Sequence, residues 1–205
     1  MNSDIKLFMF DFAGVVATTK MFPAIVDYFA KRHILDTPEM REKFKLALYD
    51  SQYAYMLGQE TTEAFWEKTG KKFGISLEQF IEAFEKWFVI NDQLIALIDK
   101  LKEHHRVVLV SDNFAATSQA IRKHPVAGHF DKMYFSDEEH VMKGDGTLFS
   151  LVLEQEHIQP EEGFFVDDQP LLVEQAKKLG INAVVFENAE QLENILIPKF
   201  SGILE

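Results

Sequence analysis

No stretch narrows the possible folds of this chain as far as Ile5-Lys6-Leu7-Phe8-Met9-Phe10, which delivers Asp11 to a sharp stop at Gly14. Its nearly unbroken apolar character suits a strand buried on both faces of a parallel sheet. In open α/β sheets, chemistry sits just past the carboxyl ends of the strands. A carboxylate in that place, followed by a glycine that lets backbone come close, is a candidate nucleophile or metal ligand. Taken alone, Asp11 reads equally well as the cap of a turn.

Two further runs of this kind follow. Arg106-Val107-Val108-Leu109-Val110 ends in Ser111-Asp112-Asn113, and Gly163-Phe164-Phe165-Val166 ends in Asp167-Asp168. Shorter strands are expected at Lys132-Met133-Tyr134-Phe135-Ser136 and at Ile181-Asn182-Ala183-Val184-Val185-Phe186. Helical patterns separate them. One opens at Asn91 and carries Leu94, Ile95, Leu97, Ile98 and Leu101; others cover residues 114–123, the region of Leu148 to Leu153, and residues 169–179. Asn188 with Gln191 caps a terminal helix. Strands alternating with helices imply an α/β fold with a doubly wound parallel sheet, and right-handed crossovers leave it few topologies.

Residues 20–90 break that alternation and read as helix after helix. Phe22, Ile25, Val26 and Phe29 recur at helical spacing, and Phe44, Ala47 and Leu48 begin a second stripe. Gly58 interrupts the pattern; Thr61 or Thr62 then caps a helix carrying Phe65 and Trp66. Ser76 with Gln79 forms a capping box ahead of Phe80, Phe84 and Trp87. Each aromatic stripe lies on a single helical face, which assigns it to core packing rather than to a binding surface. The expected division is a Rossmann-like core of residues 1–18 and 91–205, with a small all-helical subdomain inserted at 19–90.

At 205 residues the chain is long enough for one domain with a subdomain, burying roughly 70% of its unfolded surface without staples. The absence of cysteine excludes disulfides, thiolate zinc sites and thiol catalysis together. A net charge of −12 argues against a nucleic-acid partner. It leaves room for a small phosphorylated metabolite, which a metal and one lysine can hold locally. No stretch has the apolar length of a membrane span, so no membrane partner is expected. Met1-Asn2-Ser3-Asp4 has no basic segment leading into an apolar run, so the chain is expected to be soluble and cytoplasmic.

If the strand ends share one rim, Asp11, Ser111, Asp167 and Asp168 meet there, joined by Lys143 from a glycine-containing loop. Alone, Ser111 reads as a turn residue and Lys143 as a solvated loop lysine. Adjacent acids behind an apolar strand, by contrast, gain nothing in stability without a counter-charge. Clustered carboxylates suit Mg²⁺, a hard cation that pairs with substrate phosphate. The ammonium would neutralise a carboxylate or a phosphate, and the Ser111 hydroxyl with nearby backbone N–H groups would hold the remaining oxygens. Asp11 would then attack phosphorus and form an aspartyl-phosphate.

Phe10-Asp11-Phe12-Ala13-Gly14-Val15, Val110-Ser111-Asp112-Asn113, Lys143 and Val166-Asp167-Asp168 together resemble the motifs of the haloacid dehalogenase-like hydrolases, in order and along essentially the whole chain. The helical insert is similar to that superfamily's small cap. The tract Leu57-Gly58-Gln59-Glu60-Thr61-Thr62-Glu63-Ala64-Phe65 resembles a cap segment of the subgroup holding glucose-1-phosphate phosphatases and the epoxide hydrolase N-terminal domain. The resemblance implies that Asp11 is nucleophile and Mg²⁺ ligand, and that the Ala13 carbonyl is a second ligand. It further implies that Ser111 binds the phosphoryl group and that Lys143 steadies Asp11 and the phosphate. Asp167 would ligate Mg²⁺, and Asp168 would support the metal or the lysine. Ser111, Asp112, Asn113 and Lys143 are the expected substrate-binding set.

Three departures qualify this picture. Ala13 stands where phosphatases of the superfamily usually carry a second aspartate, which protonates the leaving alkoxide and then activates water. Gly144 follows Lys143 where proline is common, and Leu171 or Leu172 occupies a place often polar. Loss of a general acid/base costs about 10²–10⁴ in rate. Three readings are therefore open. One is a slow or specialised phosphatase. A second is hydrolysis of a carbon–heteroatom or carbon–phosphorus bond, resembling haloacid dehalogenases or phosphonoacetaldehyde hydrolases, the latter with a cap lysine among Lys43, Lys45 and Lys68. A third is binding of a phosphorylated ligand without turnover. Tyr49, Gln52, Tyr53 and Tyr55 are candidates to face the site, against a helix-surface role that the pattern favours.

Overall fold

The computed structural model describes residues 5–204, with side chains described through residue 198; Met1-Asn2-Ser3-Asp4, read above as carrying no leader, lies outside the described residues. Five strands, β1 (Leu7–Phe10), β2 (Arg106–Ser111), β3 (Lys132–Phe135), β4 (Gly163–Asp167) and β5 (Asn182–Val185), form one sheet. Every pairing is parallel, and the order is β3-β2-β1-β4-β5. Helices α1 (Met21–Ala30), α2 (Pro38–Met56), α3 (Thr62–Thr69), α4 (Leu77–Lys86) and α5 (Asp92–Lys102) lie between β1 and β2 in the chain. After β2 come α6 (Ala115–Lys123), α7 (Ser136–Glu139), α8 (Thr147–Glu156), α9 (Pro170–Lys178) and α10 (Ala189–Leu204). This is the doubly wound α/β fold that the alternation implies.

Burial on both faces accounts for the unbroken apolar strands. Leu7 and Met9 belong to a cluster with Val152 of α8 and Ala176 of α9. Phe8 and Phe10, pointing the other way, belong to one with Leu94 and Ile98 of α5 and Leu192 and Leu196 of α10. The chain runs from β1 outward to β2 and β3, then returns to place β4 and β5 on the opposite side. The direction of winding therefore reverses between β1 and β4, and a crevice opens beyond their carboxyl ends. Phe10 is level with Leu109 on one side and Val166 on the other, so the three central strands finish together. Asp11 continues the ladder by one bond, its N–H donating to the Val166 carbonyl at 2.9 Å.

Helix boundaries in the insert follow side-chain caps. Thr37 accepts from Met40 N–H, Thr61 from Ala64 N–H, and Ser76 with Gln79 makes the full capping box. The two ends of the insert are stitched together: Thr18 N–H donates to the Val89 carbonyl at 2.8 Å, and Asn91 N–H to the Val16 carbonyl at 2.9 Å. Gly58 follows α2 at φ +63°, and a Cβ there would collide with the Asp137 carbonyl oxygen. The insert thus meets α7 through bare backbone. Ser136, expected to close β3, instead opens α7, and its hydroxyl accepts from Asn113 N–H at 2.9 Å.

The insert and the sheet share one apolar cluster, and Phe114 is the bridge between them. It precedes α6, and its ring stacks on Phe22 and Phe65, each at 5.7 Å, and meets Tyr55 at 5.0 Å and Phe84 at 5.5 Å. Tyr55, a candidate to face the site, is instead fully buried here, with its hydroxyl 2.6 Å from Thr62 Oγ1. Helical spacing explains this: Tyr55 continues the inward stripe of Phe44 and Leu48, whereas Tyr49, Gln52, Tyr53 and Met56 form a separate stripe. Removing the bridging ring should leave a cavity that the surrounding helices cannot close. Phe114→Ala is expected to lower stability by about 3–5 kcal/mol in urea denaturation. A loss under about 1 kcal/mol would mean that the ring is not the packing centre.

Candidate active site

Asp11 emerges from β1 and Asp167 closes β4, so the switch point brings two buried carboxylates side by side. Between them stands Lys143, only 1% exposed, whose Nζ donates to Asp11 Oδ1 at 2.6 Å and to Asp167 Oδ2 at 2.8 Å. The lysine arrives on the loop before α8, and its own N–H is held by Asp112 Oδ1 at 3.0 Å. Asp167 Oδ1 accepts from Gln169 N–H at 2.8 Å, which fixes the carboxylate's plane. Asp168 sits nearer the surface, paired with Lys20 at 2.7 Å. One oxygen from each of Asp11, Asp167 and Asp168 lies within 4.8 Å of the others.

Burial pushes the Asp11 carboxyl up to about 7; Lys143 opposes that shift and the nearby Asp167 charge adds to it. For Lys143, burial works against the charge, but Asp11, Asp167 and Asp112 outweigh it and hold the ammonium above the ordinary lysine range. Burial likewise raises Asp112, with Lys143 pulling the other way. The centre therefore gathers more negative than positive charge in a dry place. Oxygen donors from three carboxylates, offset by Lys143 and, at Asp168, by Lys20, fit a hard divalent cation.

The same centre forms the floor of a cavity of about 480 Å³. Asp11, Ala13, Asp112, Lys143 and Asp168 line it from the sheet side, while Lys20, Phe22, Tyr49, Gln52, Tyr53 and Met56 line it from the insert. The expected metal and nucleophile residues Asp11, Ala13, Asp167 and Asp168 are thus brought together, with Asp167 just behind the wall. The substrate set divides. Asp112 and Lys143 reach the cavity, but Ser111, at the end of β2, and Asn113 are buried and do not line it. Asn113 is occupied by the turn itself: its N–H donates to Ser136 Oγ and its side-chain oxygen accepts Phe114 N–H at 2.9 Å.

The lysines considered for the insert go elsewhere. Lys43 pairs with Glu39 at 2.6 Å, Lys45 with Glu42 at 3.6 Å, and Lys68 with Glu60, and none of them lines the cavity. Lys20 does, and sequence reasoning missed it. The signal was its place, directly after the loop that follows Asp11 and at the start of α1. Of the two leucines at the place often polar in the superfamily, Leu172 lines the cavity, while Leu171 is 85% exposed. Tyr49, Gln52 and Tyr53 take the cavity-facing role over the helix-surface one; their spacing of three and four was the legible clue.

Gly14 explains how the acids come so close. Its φ of +88° is a left-handed conformation, and a Cβ there would strike Asp168 Oδ2 at 2.6 Å. Its N–H donates to the carbonyls of Ala17 at 2.8 Å and Thr19 at 3.1 Å, folding the loop back under Asp168.

A family model described as haloacid dehalogenase-like hydrolase matches residues 5–186. Among solved structures, one similar chain is a HAD family enzyme from Bacteroides thetaiotaomicron in complex with magnesium and inorganic phosphate. It is 25% identical, with a TM-score of 0.75 over 90% of this chain and 95% of its own. A predicted HAD-like family hydrolase from Porphyromonas gingivalis is 21% identical, with a TM-score of 0.74 over 99% of both chains. The L-2-haloacid dehalogenase of Xanthobacter autotrophicus, with chloropropionic acid covalently bound, is 18% identical. Its TM-score is 0.65 over 96% of this chain and 84% of its own. The last two likenesses speak to the fold. Among the described residues, no helix is long and apolar enough to cross a membrane.

Lys143→Met would leave Asp11 and Asp167 facing each other without a counter-charge. The variant should lose about 3–5 kcal/mol at neutral pH. Without the ammonium, the folded carboxyl pKa rises further above its unfolded value, so stability is regained as pH falls and one carboxyl is protonated. Denaturation at about pH 5 and about pH 8 should therefore show the smaller deficit at the lower pH. A deficit that is equal at both would contradict this account of the centre.

Proposed function

The chain belongs to the haloacid dehalogenase-like hydrolases, and within that family we propose that it is a magnesium-dependent phosphatase of a small phosphorylated metabolite. The observation that carries this reading is the charge arrangement around Asp11. A buried nucleophilic carboxylate lies against a fixed ammonium, with two further acids within reach, at the floor of a cavity fit for a small molecule. The 25%-identical Bacteroides thetaiotaomicron enzyme was captured with magnesium and inorganic phosphate, which supports the same ligand classes here.

In this reading Asp11, the Ala13 carbonyl, Asp167 and Asp168 would hold Mg²⁺. Bound there, the ion would neutralise phosphoryl charge as a Lewis acid. Lys143 keeps the Asp11 carboxylate oriented and offsets charge on the phosphoryl oxygens. Asp11 attacks phosphorus in line with the leaving oxygen, giving an aspartyl-phosphate. Ser111, buried at the end of β2 behind the cavity lining, is the proposed phosphoryl contact for a group seated against Asp11, and Asp112 anchors the Lys143 loop. Residues 19–90 serve as a cap over the core of residues 1–18 and 91–205. The outward stripe of α2, with Tyr49, Gln52 and Tyr53, meets the leaving group. The reading that needs a cap lysine as a covalent partner loses support, because Lys43, Lys45 and Lys68 are engaged away from the cavity.

A panel of small phosphate esters tests the proposal. Phosphate release should require Mg²⁺, cease with a chelator, and vanish in Asp11→Asn. No release from any ester, with phosphate binding retained, would instead mark a binding protein, and metal-free release of halide from a 2-haloacid would mark a dehalogenase. Ala13→Asp should raise turnover, by up to about 10² for esters with poor leaving groups, since it restores an acid/base beside the nucleophile. An unchanged or lower rate would mean that the missing acid is not limiting.

A further inference from the structure

Two basic residues line the cavity, and only one has an assigned task. Lys143 is committed to Asp11 and Asp167. Lys20 is different in kind. Its side chain is 65% exposed, and its ammonium rests on Asp168, itself within 4.8 Å of the other two acids. Local helix chemistry does not explain it. Lys20 occupies the N-cap of α1, a place that favours Ser, Thr, Asp or Asn and disfavours a cation, and it makes no side-chain cap bond. The loop after the nucleophile does explain its position, because Gly14 N–H binds the carbonyl of Thr19, one residue before Lys20. The ammonium is therefore delivered to the cavity by the same loop that carries Ala13, where an acid is missing.

Resting on the phosphatase reading, we propose that Lys20 is the leaving-group cation of this site, offsetting the charge that builds on the departing oxygen in place of an acid at position 13. An ion pair with one exposed partner is held weakly, so its ammonium can pass from Asp168 to a substrate oxygen with little penalty. A cation drawn to the three carboxylates would favour that move by sharing Asp168. The step balances without proton transfer from the lysine. Asp11 forms the new bond to phosphorus, and the bond from phosphorus to the leaving oxygen breaks. Its electron pair stays on that oxygen, beside Lys20, until water supplies a proton. The hydroxide left by that water then attacks phosphorus as the bond from phosphorus to the Asp11 oxygen breaks, which releases inorganic phosphate and returns the Asp11 carboxylate.

The test compares Lys20→Met and Lys20→Arg on p-nitrophenyl phosphate, whose leaving group needs little help, and on a simple alkyl phosphate, whose leaving group needs much. Lys20→Met should lower kcat on the alkyl ester by about 10²-fold while changing the aryl ester little, and Lys20→Arg should recover most of the loss. Equal losses on both esters, or a loss seen only as weaker magnesium dependence, would show that Lys20 merely steadies Asp168, and would overturn the proposal. If the wild-type protein hydrolyses neither these esters nor any other of the panel, the phosphatase reading fails by itself, and calorimetric binding of inorganic phosphate with Mg²⁺ then decides. There, Lys20→Met should weaken binding about tenfold, since one phosphate oxygen takes the place of the leaving oxygen; unchanged affinity would refute the role.

Discussion

Lys143, held between Asp11 and Asp167, is the contact without which the strand ends would not form a site. The two acids and the lysine come from β1, β4 and the loop before α8, so the contact exists only after strand register and crossover are both set. A buried ion cluster of this kind is a poor source of net stability, because desolvation offsets much of the attraction. It is a strict constraint all the same. A register slip of one residue would turn Asp11 from the crevice to a sheet face and strand the ammonium. The arrangement holds the Asp11 carboxylate oriented in a buried centre, and it leaves an excess of carboxylate that a divalent cation can use.

The helical insert is tied to that centre by packing rather than by charge. Phe114 stands at the head of α6, directly after the β2 strand end, and its ring is shared by α1, α2, α3 and α4. This makes the position of the insert a consequence of the same strand end that carries Ser111 and Asp112. Helix α2 then has two tasks set by one period. Its inward stripe, Phe44, Leu48 and Tyr55, fills the core, and its other stripe, Tyr49, Gln52, Tyr53 and Met56, faces the cavity. The second stripe and Lys20 line the cavity, on elements whose geometry the first stripe fixes.

Much of this was legible before any coordinates. The doubly apolar runs at β1, β2 and β4, the caps at Thr61, Ser76 and Asn91, and the acids at the strand ends all carry local signals, and each lies where its signal points. Other features carried weaker signals or misleading ones. Asn113 reads like a binding residue because it follows a strand end, yet the turn engages its backbone N–H and its side-chain oxygen. Tyr55 looks no different from Tyr49 or Tyr53 until the helix is phased against its neighbours. Lys20 carries only its place after the Asp11 loop, since nothing in its immediate sequence says that the loop will fold back through Gly14.

Strands, helices, capping residues and the chemistry of the groups that end each strand can be read from the chain alone. Those follow from hydrophobic period and backbone hydrogen bonding, which act over a few residues. The assembled fold was needed to show which of those groups share one dry centre, and that Lys143 serves two acids at once. It was needed too for Lys20, which enters the cavity where no lysine of α2 or α3 does. Charge pairing and cavity shape depend on distances between residues far apart in the chain, and those distances exist only once the sheet has closed around Asp11.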